Sequence, residues 1–173
     1  CYRLGKASLY SRAKAFLEYN RVHGVLPQLN ACEWKQHLAL LRCFDVIITT
    51  NWDNTLESAG QAQKFCCHAY YSANGELLHD ILCDGSAVEP DKKTIIKFHG
   101  HLTNEHQHSG GPSSLIASET DYYRRVRRSD PLDDDLVSRL STKGLLIIGY
   151  SLRDVNVRYV LKQVNTVNRH FGR

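Results

Sequence analysis

Three segments of this chain place chemically capable side chains directly after short apolar runs. They are Ile48-Thr-Thr-Asn-Trp-Asp53, Lys97-Phe-His-Gly100 and Ile147-Ile-Gly-Tyr-Ser-Leu-Arg-Asp154, with Asn156–Arg158 just beyond the last. In an open α/β sheet, ligands bind where the strands end. An Asn, an Asp and a His brought to one sheet edge therefore point to chemistry as well as to packing. His99 suits a general base, because an unperturbed imidazole titrates near working pH. Gly100 beside it permits a tight turn. Gly149 would let a phosphate or ribose approach the backbone ahead of a helix N-terminus, and Ser151 adds a hydroxyl there. Each residue also has a plainer role. Asn51 and Asp53 can end a strand or cap the next helix, His99 can be a satisfied structural residue, and Asp154 can be an ordinary N-cap.

The flanking sequence predicts the elements that hold these residues. Asp45–Thr50 is a short β-branched run and reads as a buried strand. Thr94–Phe98 reads as a second strand, Leu145–Ile148 as a third, and Phe65–Tyr71 and Ser114–Ala117 as two more. Helices are expected over residues 4–20, after the Asn30 cap with Glu33 as its capping-box partner, and from residue 54 to about 63. Another begins at Asp130 with Pro131 at its first position, and the last runs from about Asp154 to His170. Strands alternating with helices give an α/β class with a mainly parallel sheet. After Tyr71 the sequence reads as a turn-rich stretch through Gly85 and Pro90.

The 173 residues suffice for one domain with a core, and 42% of them are apolar. No run of 18 apolar residues exists, so no membrane span is expected. The chain starts with Cys1 and contains no Met, which reads as an interior piece of a larger protein. Six cysteines form no C-x-x-C pair, so the usual zinc spacing is absent and reduced cytosolic thiols are the expectation. The His-rich stretch His99, His101, His106 and His108 has no carboxylate or Cys that completes a ligand set, so no metal is expected. The run Arg124, Arg125, Arg127 and Arg128 lies among acidic residues and reads as a solvated helix face, and the net charge is only +4. A nucleic-acid partner is not expected.

Four segments, in order, resemble the SIR2-like domain, the sirtuin-fold NADase module of prokaryotic antiphage defence proteins. Ile47–Asp53 is similar to its I-T-T-N-Y-D segment, Lys97–Gly100 to K-x-H-G, Asp121-Tyr122 to D-Y, and Gly149–Arg158 to G-Y-S-x-x-D-x-N-I-R. The resemblance covers about residues 37–162. It implies a Rossmann-like, mainly parallel sheet with helices on both faces, forming a single domain over 1–173. It also implies NAD+ as substrate, cleaved to ADP-ribose and nicotinamide, in a cytoplasmic, homo-oligomeric protein with a fused or associated sensor. By resemblance, Asn51 orients water and the ribose hydroxyls, and His99 accepts a proton. Thr50, Asp53, Gly100, Gly149, Tyr150, Ser151 and Asp154 would contact the dinucleotide. The family's opening strand and G-A-G-type loop have no counterpart in this chain, so the first βα unit is expected to lie before Cys1. An NAD-dependent protein deacylase and a non-catalytic nucleotide-binding module are the alternatives. The two Cys pairs of the sirtuin zinc module are absent.

Overall fold

Two short β-branched runs, Val46–Thr49 and Thr94–Ile96, lie side by side as parallel strands of the sheet. The structure, a computed structural model, describes residues 35–73, 75–83, 91–101, 115–127 and 130–170. The expected helices at 4–20 and after Asn30 lie outside these, except for the end of the second, as does most of the His-containing loop after His101. Contacts divide the chain into two compact units, Cys1–Leu115 and Ile116–Arg173.

The first unit contains α1 (Lys35–Cys43), β1 (Val46–Thr49), α2 (Thr55–Ala62), β2 (Cys66–Ala73), β3 (Glu76–Leu82) and β4 (Lys92–Lys97). The four strands form one sheet in the order β1-β4-β2-β3. β4 pairs in parallel with both β1 and β2, whereas β2 and β3 pair antiparallel. The sheet is thus mostly parallel within a mixed α/β fold, as expected. The core joins Leu41 of α1, Leu56 and Ala59 of α2, Cys67 of β2 and Ile95 of β4. Ile47, Phe65 and Leu82 pack around it. β3 corrects the reading of its segment as turns. Asn74-Gly75 separates two strand-forming runs, which is a strong hairpin signal, and Gly75 takes a φ of +84° that a side chain would strain.

Burial around Cys67 makes a first prediction. Its surroundings, and then the charge of Glu57, push its thiol up to about 11, against the opposing effect of Lys93. At pH 8 it stays protonated and buried, whereas Cys43 is free and exposed. An alkylating reagent at that pH should modify Cys43 first and reach Cys67 only on unfolding. Equal labelling rates in the folded protein, read by peptide mapping, would contradict this.

The second unit contains α3 (Glu119–Arg127), α4 (Pro131–Leu140) and α5 (Val155–His170). Asp130 caps α4, its carboxylate accepting from the Leu132 amide at 2.9 Å, and Pro131 sits in the first turn. α4 and α5 pack together, burying Leu132, Leu136, Val160 and Val164. Two expectations fail here. Leu115–Ala117 is not a strand. Leu145–Ile148 is not one either: it makes no ladder among the described residues, and its four side chains are 41–65% exposed. An apolar β-branched run becomes a strand only beside a neighbour that takes its backbone hydrogen bonds. The basic run is also not simply solvated. Arg125 is buried and pairs with Asp133, its Nε 3.0 Å from Oδ1 and 3.2 Å from Oδ2.

No helix among the described residues is long and apolar enough to cross a membrane.

Candidate functional site

The parallel pairing of β1 with β4 sets the first cluster. Thr49 and Lys97 are register partners at the carboxyl ends of the two strands. Asn51 and His99 each lie two residues further on, so they leave the same sheet edge at matching positions. The junction is fixed by backbone bonds: the Phe98 amide donates to the Thr49 carbonyl at 2.8 Å. The Asn51 amide donates to the Thr49 hydroxyl oxygen at 3.1 Å, which turns the chain away from the sheet. Asn51 is exposed, Thr50 is half-buried and His99 is buried. Gly100 has a φ of +94°, a conformation suited to glycine, and its amide donates to the Lys97 carbonyl at 3.1 Å.

Asp53 lies two residues before α2, whose N-cap position is Asn54. Its carboxylate accepts from the Thr55 amide at 2.9 Å, a turn that leads the chain into the helix. Burial alone would push this carboxyl up. The Thr55 hydrogen bonds and the Lys97 charge outweigh burial and hold it below the ordinary carboxylate range.

Beneath this edge runs a buried ionic chain that the motif reading missed. Lys97 and Glu57 pair at 3.2 Å, with side chains each only 1% exposed. Lys97 also donates to the Asp53 carbonyl, tying the end of β4 to the start of α2. His101 Nε2 lies 3.9 Å from Glu57, and its Nδ1 lies 3.6 Å from Asp80 of β3. The available signal was a lysine inside the apolar run Thr94–Phe98. A buried ammonium requires an acid partner, and Glu57 sits one helical turn beyond Asp53.

The second cluster belongs to the second unit. Tyr150, Ser151 and Asp154 line a pocket of about 500 Å³ with Ser118, Tyr122, Tyr123 and Arg153. That volume is in the range of small-molecule sites. Asp154 caps α5 by accepting from the Asn156 amide at 2.8 Å and the Val157 amide at 3.2 Å. Burial, and then the charge of Asp154, push the Tyr150 phenol up to about 12, so it is a neutral hydroxyl at working pH. Burial and Asp154 raise Tyr122 as well. Gly149 stands outside the pocket lining. Its φ of +64° with open space around it shows that glycine is favoured there for conformation. The Asp of the D-Y segment is structural: Asp121 accepts from the Ser118 amide at 3.1 Å and from its hydroxyl at 2.8 Å, while the Asp121 amide donates back to that hydroxyl at 3.3 Å. This reciprocal cap starts α3 and leaves Tyr122 to the pocket. Asn156 is 1% exposed, and its side-chain amide has no hydrogen-bond partner among the described residues.

The expected absence of metal is not supported. Donor atoms of Cys66, His68 and Cys83 lie within 4.8 Å of one another. Cys66 and Cys83 are joined as a disulfide, with their Cα atoms 4.4 Å apart, in place of the expected free thiols. The hairpin register brings them opposite each other.

No curated protein matches the chain. A family model described as the SIR2-like domain matches residues 45–172.

Proposed function

We propose, for a chain that belongs to the SIR2-like domain family, hydrolysis of NAD+ to ADP-ribose and nicotinamide. Membership supports NAD-related chemistry. The observation that carries the finer reading is the parallel β1–β4 register, with Asn51 and His99 leaving one edge at matching positions.

Cleavage of the nicotinamide–ribose bond develops positive charge on the ribose. The protein must hold the sugar, let nicotinamide leave and supply a water. In this reading His99 accepts a proton through a ribose hydroxyl, and its buried position keeps competing water away from the imidazole. Asn51 orients the attacking water and the ribose hydroxyls, a positioning role that suits its amide. Thr50, Asp53 and Gly100 shape the same edge. Lys97 and Glu57 hold that edge rigid without touching substrate. The resemblance assigns Tyr150, Ser151 and Asp154 to the dinucleotide, and the pocket they line within the second unit includes the aromatic face of Tyr122. The resemblance extends the reading to NAD+ depletion in antiphage defence, by a cytoplasmic homo-oligomer linked to a sensor.

Two substitutions test the division of labour. Asn51→Ala should abolish hydrolysis while changing NAD+ affinity by less than about tenfold, because positioning is lost rather than gross binding. Calorimetry and product chromatography on the same preparation check both halves. Unchanged kcat would make Asn51 only a strand terminator. Products that form only with an acylated lysine peptide would favour a deacylase.

A further inference from the structure

The β2–β3 hairpin carries a donor set that the NAD+ reading does not use. Along β2, Cys67, Ala69, Tyr71 and Ala73 are buried in the core. Strand alternation therefore puts Cys66, His68 and Tyr70 on the opposite face. The pairing of Tyr70 with His79 and of His68 with Ile81 places His79, Ile81 and then Cys83 on that face too. A disulfide explains why two sulfurs meet there, but it needs no imidazole. Yet His68 Nε2 lies 3.4 Å from Cys66 Sγ. In a zinc tetrahedron with Zn–S of about 2.3 Å and Zn–N of about 2.0 Å, the sulfur–nitrogen edge is about 3.5 Å. The other ring nitrogen, His68 Nδ1, is 2.8 Å from His79 Nε2, and the His79 ring stacks on Tyr70 with centroids 4.3 Å apart. Metal-ligating histidines are oriented in this way by an outer partner that fixes the tautomer.

We propose that reduction of the Cys66–Cys83 disulfide creates a site for a zinc-type divalent ion, held by Cys66, Cys83 and His68 and oriented by His79. A dithiol reductant supplies two electrons and two protons, opens the S–S bond to two thiols, and leaves as its own disulfide. Metal binding then displaces both thiol protons, and the two thiolates and neutral Nε2 become ligands. His68 Nδ1 keeps its hydrogen and donates it to His79 Nε2. Water fills the fourth position. The sulfurs part to about 3.8 Å, the S–S edge of the same tetrahedron. The ion ties the start of β2 to the end of β3. None of its ligands is assigned to NAD+, so the site stands or falls apart from that chemistry.

The test is zinc and cobalt binding by the full chain, stripped of metal and reduced with a phosphine. The expected result is one metal per chain by elemental analysis, with a thiolate-to-cobalt charge-transfer band. His68→Ala should weaken binding by at least about tenfold, and His79→Ala by about 10–100-fold. Both imidazoles lie on the outer face of the hairpin, so these variants should keep the fold, as circular dichroism can verify. Cys66→Ser/Cys83→Ser should lose the cobalt band. Wild-type affinity in the His68→Ala variant, or no more metal on the reduced wild type than on the double serine variant, would overturn the site and leave a plain disulfide.

Discussion

His99→Ala is expected to lower NAD+ turnover by about 10²–10⁴-fold, the usual loss when a positioned general base is removed. The expectation rests on place as much as on residue type. His99 leaves β4 two residues beyond Lys97, at the position that matches Asn51 beyond β1. It is buried against the Phe98 ring, with centroids 5.5 Å apart, so its orientation is held by packing. The loss should appear in kcat and kcat/KM together, since the base acts in the transition state. Wild-type turnover by a variant shown to be folded by circular dichroism would remove His99 from the mechanism.

Glu57→Ala is expected to destabilise the protein by about 3–5 kcal/mol, because it strands the buried Lys97 ammonium without its counter-charge. For a chain of this size that lowers the melting temperature by on the order of 10 °C. Replacing both members, as Glu57→Leu with Lys97→Met, should recover much of the loss, since well-packed apolar groups often substitute for a buried pair without penalty. That double variant separates stability from positioning. Its fold returns, but the end of β4 loses its tie to the Asp53 carbonyl, so turnover should stay impaired. A single variant as stable as wild type would show that the Lys97–Glu57 pair contributes nothing measurable.

The strand ends were legible because their signal is local. Asp45–Thr50 and Thr94–Phe98 are short β-branched runs closed by polar residues, and both became strands, paired in parallel. The caps at Asp130 and Asp154 were legible for the same reason. What escaped depends on partners distant in sequence. Lys97 and Glu57 are 40 residues apart and meet only when α2 packs beside β4. The Cys66, His68 and Cys83 cluster follows no motif spacing and exists only through the hairpin register, which Asn74-Gly75 would have revealed. Leu145–Ile148 erred in the other direction: its composition is that of a strand, but composition supplies no hydrogen-bonding neighbour.

The central claim is that the full-length protein to which this chain belongs uses water to cleave NAD+. The most direct measurement is incubation of that full-length protein with NAD+ in ¹⁸O-labelled water, followed by mass spectrometry of the products. The account predicts nicotinamide and ADP-ribose in equal amounts, with one ¹⁸O in the ADP-ribose, no need for an acylated peptide, and loss of both products in His99→Ala. Nicotinamide release that requires an acyl-lysine peptide, or ADP-ribose formed equally well by His99→Ala, would contradict it.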